Sequence, residues 1–485
     1  MATLKEVQPQ IEFGTAGWRA VIGEDFTFDN VKLVTQAIAN YLIQALGTRH
    51  EARVVVGYDT RFLAEEFAKV SACVLAANGI CVDLSKDFIP TPAFAYRIIR
   101  EKALGGINFT ASHNPPEYQG LKFSSPGGLP AAVGVTAKIE KNCQRLANRS
   151  HLIKEVPFIE AKKKKLVNFF EAEENYFKRI KQLVDFDLLK KRKLKIVLDL
   201  LYGTGKGYLD KLLRETEAKI YLLHGWRNVL FGGGTPEPNE KNLGEAKKLV
   251  KKISADIGLA TDGDADRFGI IDSDGSYLSP NQILGLIFYH LMETRKWKGI
   301  VVRSVMTTHF LDALAKKYGL PVKETRVGFK YIGEIMEKEP AILGGEESGG
   351  LSIYGHIPEK DGILACLLVS ELLALNKNKF RSLQEILSYL YSQVGGFHTQ
   401  RINFSFPLEK REFLEKKLTS LRKEINGIKI KKIVTLDGYK FIFEDDSWLG
   451  LRFSGTEPVV RLYLEANQKN KLKFLRKLSE KIIYK

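Results

Sequence analysis

The sequence predicts a multidomain α/β protein that ends in a smaller α+β domain. The chain has 485 residues, more than one hydrophobic core usually organises, so several domains are expected. Short β-branched apolar runs alternate with helical segments, a pattern typical of βαβ units and largely parallel sheets. This unit recurs about three times before the pattern changes near Phe397.

The first repeat shows the pattern most clearly. Residues 54–57 (VVVG) predict a strand buried on both faces, 64–77 an amphipathic helix and 80–84 a second strand. Each apolar run is bounded by Gly, Asp or Pro, which end strands. Further strands of this kind are predicted at 195–200, 257–260 and 300–303.

In the C-terminal part, apolar and polar residues alternate as they do in strands with one exposed face. Such strands are predicted at 401–406, 438–443, 449–453 and 459–464, and helices at 409–425 and 469–483. From these changes we expect four domains, at 1–171, 172–296, 297–395 and 396–485.

The composition is that of an ordinary globular protein, with 44% hydrophobic and 27% charged residues. Residues 1–10 lack the apolar run of a signal peptide. The longest apolar segment, 363–375, contains Glu371 and is too short to cross a bilayer, so it predicts a buried helix. The 4 cysteines are scattered, which favours reduced thiols and a cytoplasmic location.

The formal net charge of +17 has two interpretations. It could mark a nucleic-acid surface, or a solvated face combined with an electropositive cleft for anionic substrates. The basic runs at 162–165 and 190–195 lack the interleaved aromatic residues that stack on bases. We therefore expect neither a nucleic-acid partner nor a membrane partner.

The segment 261–269 (TDGDADRFG) carries the sharpest chemical signal. Asp262, Asp264 and Asp266 alternate with small residues that let the backbone fold tightly, so their carboxylates can converge. Converging carboxylates repel one another, and a hard divalent ion such as Mg²⁺ or Ca²⁺ relieves that repulsion. An EF-hand is disfavoured because Ser273 stands at the twelfth loop position. An acidic surface loop is the structural alternative.

The segment 109–123 (FTASHNPPEYQGLKF) presents one hydroxyl beside an imidazole. Ser112 lies between Ala111 and His113, before a Pro-Pro turn, an arrangement that suits a nucleophile. The chain has no GxSxG elbow here, so a hydrolase-type serine is not indicated. A plain loop with Asn114 as the turn former is an equal alternative for this segment alone.

Two segments offer groups for a polar ligand. In LGGEESGG (343–350), Glu346 and Ser348 lie between paired glycines and could bind sugar hydroxyls. Close behind, HIPEKDG (356–362) offers His356 and Lys360 to an anion.

The segment 452–461 (RFSGTEPVVR) suits a phosphate dianion. Hydroxyls, backbone N–H groups and bidentate guanidinium groups are the donors such an anion needs. The segment supplies them from Arg452, Ser454, Gly455, Thr456 and Arg461. No P-loop consensus is present, and GTGKG (203–207) is better read as a strand-to-helix turn.

In this order, these segments resemble the α-D-phosphohexomutases, the family of phosphoglucomutases and phosphomannomutases. The resemblance runs from FGTAGWR, which begins at Phe13, to Ala466. It implies an α/β fold with three α/β/α sandwich domains of mixed sheets and a smaller C-terminal α+β domain, around a central cleft.

The resemblance also implies a role for each motif. Ser112 would carry the phosphoryl group, with His113, Lys122, Arg19 and Arg267 as the other catalytic residues. An oxygen of phosphorylated Ser112 would complete a Mg²⁺ site made by the three aspartates. The remaining implied residues bind substrate: Glu346, Ser348, Gly328, Lys330, His356 and Lys360 for the sugar, and Arg452, Ser454, Gly455, Thr456 and Arg461 for the phosphate.

The implied activity is that of an intramolecular phosphotransferase, a mutase for hexose phosphates with a 1,6-bisphosphate intermediate. The HIPEKDG and GFK segments are similar to glucose-type members, which makes glucose phosphate the expected substrate and glucose 1,6-bisphosphate the activator. Some members carry a histidine where this chain has Gly350. Phosphomannomutase, phosphopentomutase and phosphoglucosamine mutase activities remain alternatives, as does a phosphatase with an aspartate nucleophile. The sequence does not predict an oligomeric state.

Overall fold

The computed structural model describes residues 11–14, 17–46, 52–453 and 458–484. These residues divide into two compact units. Unit 1 holds the described residues up to Leu278 together with Gly350–Asn376, and unit 2 holds Ser279–Gly349 and the described residues from Lys377 onwards. None of the described helices is long and apolar enough to span a bilayer.

The first sheet of unit 1 is mixed and carries the Ser112 segment. Its strands are β1 (Trp18–Val21), β2 (Arg53–Tyr58), β3 (Cys81–Ser85), β4 (Gly106–Phe109), β5 (Tyr118–Ser124) and β6 (Val167–Phe170). They lie in the order β1-β5-β4-β2-β3-β6. Strands β4, β2, β3 and β6 are parallel, whereas β5 runs antiparallel to both β4 and β1.

The helices that accompany this sheet are α1 (Phe28–Leu46), α2 (Ala64–Ala77), α3 (Thr91–Arg100), α4 (Val133–Leu146) and α5 (Phe158–Lys163). Helix α2 confirms the predicted 64–77 segment, and its small residues let it pack closely on β2 and β3. The core between them buries large side chains such as Phe67 and Phe109. Burial of this apolar surface is the main favourable term in folding.

The second sheet of unit 1 carries the aspartate segment. Its elements are α6 (Glu173–Leu183), α7 (Phe186–Arg192), β7 (Lys195–Asp199), α8 (Leu209–Arg214), β8 (Lys219–Leu223), α9 (Gly244–Ile253), β9 (Ile257–Thr261), β10 (Phe268–Asp272) and β11 (Tyr277–Leu278). The strand order is β11-β10-β9-β7-β8. Strands β9, β7 and β8 are parallel, and β10 pairs antiparallel with β9 and β11. The loop between β9 and β10 is therefore a tight reverse turn at the C-terminal end of β9.

Unit 2 begins with a parallel α/β arrangement. Its elements are α10 (Pro280–Arg295), β12 (Ile300–Ser304), α11 (Phe310–Lys317), β13 (Val322–Thr325), α12 (Phe329–Met336) and β14 (Ala341–Glu346). Strand β12 pairs in parallel with both β13 and β14. Ser279 caps α10, because its hydroxyl accepts from the Gln282 N–H while the Gln282 side chain accepts from the Ser279 N–H.

The next two elements, β15 (Gly350–Ile353) and α13 (Gly362–Asn376), belong to unit 1. Helix α13 confirms the buried helix predicted at 363–375, and it packs on α7, β9 and β10. Residues 350–376 of the expected domain 297–395 thus fall in unit 1 and the rest fall in unit 2. The domain boundaries themselves stay a prediction.

The C-terminal part of unit 2 is an antiparallel sheet with helices. After α14 (Leu383–Val394) come β16 (His398–Ser405), α15 (Arg411–Ser420), β17 (Glu424–Ile425), β18 (Ile428–Val434), β19 (Tyr439–Phe443), β20 (Trp448–Phe453), β21 (Val459–Ala466) and α16 (Lys469–Tyr484). The order is β16-β21-β20-β19-β18-β17, antiparallel throughout. The helix predicted at 409–425 ends at Ser420, since Glu424 and Ile425 pair with β18 instead.

Candidate active site

Ser112 lies in the loop that joins the antiparallel strands β4 and β5. Its backbone has φ +52°, in the left-handed region that non-glycine residues rarely adopt, and its N–H donates to Thr110 Oγ1 at 2.9 Å. The Oγ atom donates to Asp262 Oδ2 at 2.9 Å and lies 3.3 Å from His113 Nδ1. The loop conformation therefore directs the predicted nucleophile at the aspartate segment.

The three aspartates occupy the turn between β9 and β10. Asp262, Asp264 and Asp266 are buried, and one carboxylate oxygen of each lies within 4.8 Å of those of the other two. Ala265 has φ +56°, which helps the turn bring alternate side chains to one side. The convergence predicted from the sequence is confirmed.

The carboxyl groups of this cluster differ in pKa. Burial raises the pKa of Asp262 well above its usual range, and Asp266 and Asp264 raise it further by repulsion. Burial acts in the same direction on Asp264, but the Lys122 ammonium and hydrogen bonds from Lys122 and Thr91 outweigh it and hold the pKa of Asp264 well below its usual range.

The aspartate cluster fits a hard divalent cation. The Oδ1 atoms of Asp264 and Asp266 are buried and accept no hydrogen bond, although an ionised carboxylate oxygen needs a partner when it leaves water. An all-oxygen donor set of this kind suits Mg²⁺ or Ca²⁺ rather than zinc.

Cationic side chains surround the cluster. Lys122 Nζ lies 2.6 Å from Asp264 Oδ2 and 3.4 Å from Asp266 Oδ2, and Lys360 Nζ lies 3.0 Å from Asp266 Oδ2. The Arg267 N–H donates to Asp262 Oδ1 at 3.0 Å, and its guanidinium lies 3.7 Å from Glu237 Oε1. The structure thus brings Ser112, the aspartates, Lys122, Arg267 and Lys360 together.

Arg19 lies on β1 and reaches the Ser112 loop. Its Nη1 donates to Asn114 Oδ1 at 2.7 Å. Burial lowers the pKa of Arg19 to about 10, with Asp264 and Asp266 opposing that effect, so the side chain remains cationic near neutral pH. The predicted N-terminal arginine therefore contacts the loop that carries Ser112.

Two site residues were missed in the sequence. Thr91, at the start of α3, donates from Oγ1 to Asp264 Oδ2 at 2.7 Å, and its N–H donates to the Asp264 carbonyl at 2.9 Å. Arg61 donates to the Ser112 carbonyl at 2.7 Å. Neither residue lies in a recognisable motif, because each acts on a segment that is distant along the chain.

The structure encloses His356, which is a predicted substrate ligand. Its side chain is fully enclosed, with Nε2 2.8 Å from Asp361 Oδ2, and Tyr176 donates to the same oxygen at 2.7 Å. Lys360, from the same 356–362 turn, reaches Asp266. A role of His356 in substrate binding stays a prediction.

The predicted sugar-binding residues lie in unit 2. Ser348 donates to Glu346 Oε1 at 2.7 Å in the turn after β14. Gly328, with φ +125°, precedes α12, and Lys330 in its first turn is buried, with Nζ 5.1 Å from the centre of the Tyr331 ring. The positive φ at Gly328 explains the glycine, because a β-carbon disfavours that backbone conformation.

The predicted phosphate-binding arginines face each other on β20 and β21 of unit 2. Arg452 and Arg461 are directly opposite in the antiparallel register. Arg452 Nε donates to Asp437 Oδ1 at 3.0 Å, and the other oxygen of Asp437 accepts from the Val327 N–H at 3.0 Å. Ser454, Gly455 and Thr456 lie outside the described residues.

Family models match four successive parts of the chain. They are described as phosphoglucomutase/phosphomannomutase alpha/beta/alpha domain I, at residues 10–150, domain II, at 174–275, domain III, at 279–394, and the C-terminal domain, at 409–477. The matches follow the order of these domains from the N-terminus to the C-terminus.

Whole-chain relatives carry related names. The chain is 31% identical to a phosphoglucomutase/phosphomannomutase of Thermococcus kodakarensis, over 97% of this chain and 98% of that one. It is 30% identical, with the same coverage, to a probable phosphoglucosamine mutase of Methanosphaera stadtmanae. A solved structure of a phosphomannomutase candidate from Thermus thermophilus is 32% identical and has a TM-score of 0.83, with 98% of this chain and 99% of that one covered.

Proposed function

Because this chain belongs to the phosphoglucomutase/phosphomannomutase family of phosphate-transferring enzymes, we propose that it interconverts the 1-phosphate and 6-phosphate of a hexose through a phosphoserine at Ser112. The observation that carries the proposal is the 2.9 Å hydrogen bond from Ser112 Oγ to Asp262, within a cluster of three buried aspartates. A hydroxyl placed beside a cation site and several basic groups suits phosphoryl transfer.

The proposed cycle has two transfers. In the first, phosphorylated Ser112 gives its phosphoryl group to the free hydroxyl of the sugar phosphate: the bond from Ser112 Oγ to phosphorus breaks, and a sugar oxygen takes its place. The hydroxyl proton leaves the sugar, and the freed Ser112 Oγ is protonated. In the second transfer, the bond from the other sugar oxygen to phosphorus breaks and Ser112 Oγ takes its place, while the serine proton passes to that sugar oxygen. This restores the phosphorylated enzyme, and the isomeric sugar monophosphate leaves.

The candidate general acids and bases are His113, Lys122, His356 and Lys360, and His113 is the best placed to carry the proton. The His113 Nδ1 atom lies 3.3 Å from Ser112 Oγ. Lys122 is paired with Asp264 at 2.6 Å. The enclosed ring of His356 is bonded to Asp361, and Lys360 is paired with Asp266. An imidazole also titrates close to neutral pH, which suits both proton uptake and release.

Asp262, Asp264 and Asp266 would hold Mg²⁺, with an oxygen of the phosphoryl group on Ser112 as a further ligand. When bound, the ion would polarise that phosphoryl group and neutralise part of its charge. Lys122 and Arg267, which border the cluster, would neutralise the remaining phosphoryl charge. Arg19 would hold Asn114 and steady the loop.

The phosphate that is not being transferred needs a separate anchor. We assign that task to Arg452 and Arg461, together with Ser454, Gly455 and Thr456, and the sugar hydroxyls to Glu346 and Ser348. Guanidinium groups bind phosphate through paired, charge-assisted hydrogen bonds. In one transfer the phosphate that is not being transferred is on the 1-position of the sugar, and in the other it is on the 6-position. This anchor should therefore tolerate both orientations of the sugar.

Glucose phosphate is the first candidate substrate, on the similarity of the 327–330 and 356–362 segments to glucose-type enzymes. Glucosamine phosphate is the second, because the similar Methanosphaera protein, which matches 97% of this chain, is named a probable phosphoglucosamine mutase. Mannose phosphate is the third, on the names of the Thermococcus and Thermus relatives.

A coupled assay tests the proposal. Each 1-phosphate (glucose, glucosamine and mannose) is supplied with and without a trace of its 1,6-bisphosphate, and formation of the 6-phosphate is followed. We expect turnover with at least one sugar, stimulation by the bisphosphate, and no turnover by Ser112→Ala. The exposed Ser150→Ala variant is the matched control and should keep full activity. Normal turnover by Ser112→Ala would overturn the proposal.

A further inference from the structure

Arg61 is a buried cation that the proposed reaction does not use directly. We propose that Arg61 is a positioning residue that holds the Ser112 loop in its reactive conformation, and that Arg227 locks Arg61 in place. This inference rests on the proposed function, because it assigns a role in presenting Ser112 for phosphoryl transfer.

The Arg61 guanidinium binds the whole Ser112 loop through its backbone. Its side chain is 0% exposed. The accepting carbonyls belong to Ser112 (2.7 Å), Asn114 (2.6 Å), Pro115 (2.7 Å) and Tyr118 (3.0 Å). These residues extend from the nucleophile to the first residue of β5, so one side chain fixes the path of the entire connection.

Only arginine has the donor geometry for this task. The planar guanidinium offers five N–H groups in a fixed fork, whereas lysine offers three from one mobile nitrogen. The fork is itself held by Asp59, whose Oδ2 lies 3.2 Å from Arg61 Nε and whose Oδ1 accepts from the Arg61 N–H at 2.9 Å. The Phe231 ring covers the guanidinium, with its centre 4.8 Å away.

Hydrogen bonds to residues that follow strands of the second sheet hold the backbone at Thr60 and Arg61 in place. Arg227, which follows β8, donates from Nε to the Thr60 carbonyl at 3.0 Å and from Nη2 to the Arg61 carbonyl at 3.1 Å. Thr60 Oγ1 donates to the Tyr202 carbonyl at 2.9 Å, just after β7. Because β7 pairs with β9, the strand that leads into the aspartate turn, these bonds tie the Ser112 loop to the sheet that carries the cation site.

The nucleophile needs such a restraint. Ser112 keeps φ +52° only while the surrounding structure holds it there, since this conformation is strained for a residue with a β-carbon. The carbonyl that Arg61 holds belongs to the same residue. Loss of that bond would allow Ser112 to relax and would move its hydroxyl away from Asp262.

The test compares Arg61→Lys and Arg227→Met with Arg97→Lys in the full-length enzyme. Arg97 is a matched control: it pairs with Asp83 at 3.0 Å and stacks on Phe170 at 4.6 Å in the same sheet domain, away from the Ser112 loop. Arg227 is exposed, so we expect the Arg227→Met variant to fold normally. The readouts are kcat, KM, the rate of label transfer from phosphorylated Ser112 to the sugar phosphate, and rescue of Arg61→Ala by guanidinium ion below denaturing concentrations.

We expect Arg61→Lys to lower kcat and the transfer rate on the order of 100-fold, with KM little changed, because small misplacements of reacting atoms cost about that much. Arg227→Met should lower both on the order of 10-fold, the effect of about 1.4 kcal/mol. Guanidinium should restore part of the Arg61→Ala rate, which a merely structural role would not produce. Arg97→Lys should behave like the wild type.

The two possible failures are distinguishable. If the wild type takes up no label on Ser112, the proposed function fails, and the inference with it. If the wild type is labelled but Arg61→Lys and Arg227→Met transfer at the wild-type rate, the inference alone is overturned. Should Arg61→Lys not fold, Arg227→Met decides: a normal transfer rate overturns the inference, and a slowed rate with unchanged KM supports it.

Discussion

The carbonyl oxygen of Ser112 lies 2.6 Å from the point that a β-carbon would occupy on Gly263. The contact joins the loop after β4 to the turn after β9, two segments from different sheets of unit 1. Because the neighbouring atom is backbone and is held by Arg61, it cannot move aside easily. The absence of a side chain at Gly263 therefore sets how closely the serine approaches the aspartates.

Gly263→Ala should push the two loops apart. We expect kcat to fall on the order of 10- to 100-fold, because the reacting groups lose their alignment. Gly244→Ala, at the first residue of α9, is the matched control, since nothing lies within 4 Å of its added β-carbon. Steady-state kinetics of both variants check this prediction, and equal activity would show that the close approach is not needed.

Divalent metal should be required for turnover. EDTA should abolish activity until Mg²⁺ is restored, and Mg²⁺ should raise the thermal midpoint of the wild type, because a ligand that binds only the folded state stabilises it. Asp266→Asn should weaken Mg²⁺ binding by more than the ~10- to 100-fold that loss of an outer partner costs.

The matched control for that metal experiment is Asp274→Asn, in the exposed hairpin turn after β10. It should keep the wild-type response to Mg²⁺ in calorimetric titration. If Asp266→Asn bound Mg²⁺ with the wild-type affinity, the assignment of the three aspartates as the metal site would be wrong.

Arg452→Ala should mainly weaken substrate capture. If its guanidinium holds the phosphate that is not transferred, loss of a charge-assisted bond of about 1.5–3 kcal/mol should raise KM roughly 10- to 100-fold, with a smaller effect on kcat. Arg401→Ala, on β16, removes an exposed arginine of the same sheet and should leave both constants unchanged. A normal KM for Arg452→Ala in steady-state assays would contradict the anchor.

A buried lysine in unit 2 should make stability depend on pH. Lys440 is 0% exposed, donates to the Val305 carbonyl at 2.6 Å and lies 4.0 Å from the centre of the Trp448 ring. Burial lowers the pKa of Lys440 to about 7, with Arg303 adding to the effect and nearby carboxylates opposing it. An unfolded lysine titrates near 10.4.

The unfolded chain therefore binds more protons than the folded chain between about pH 7 and 10.4, so this lysine makes the free energy of unfolding rise with pH in that window. The slope is at most about 1.4 kcal/mol per pH unit. Denaturant titrations at pH 7 and 9 should show this rise in the wild type and in the exposed control Lys429→Met, but not in Lys440→Met. A parallel pH dependence in all three proteins would show that Lys440 is charged in the same way in both states.

The sequence predicted which groups converge at the candidate site better than it predicted the residues that hold those groups in place. The alternation of Asp262, Asp264 and Asp266 with small residues was sufficient to predict their convergence, because a tight turn determines it locally. Arg61 and Thr91 could not be recognised, since their partners lie elsewhere in the chain and are reached only through the packing of two sheets.

Two other features of the structure were not evident from the sequence, for similar reasons. His356 is predicted from the sequence to bind an anion, and the structure encloses its ring beside Asp361, which also accepts a hydrogen bond from the distant Tyr176. The helix predicted to 425 ends at Ser420 because pairing with β18 outweighs local helix propensity at Ile425. Regular elements such as α2 and α13 were predicted well, since their apolar patterns alone specify burial.

Mapping the phosphate on Ser112 tests the proposed reaction most directly. The enzyme is mixed with labelled glucose 1,6-bisphosphate and Mg²⁺, digested, and its phosphopeptides are mapped by mass spectrometry. We expect one phosphate on the peptide that contains Ser112, and we expect added hexose phosphate to remove it at a rate at least equal to kcat. A turning-over enzyme with no phosphate on Ser112, or with label only on an aspartate of the 262–266 turn, would contradict the proposed reaction.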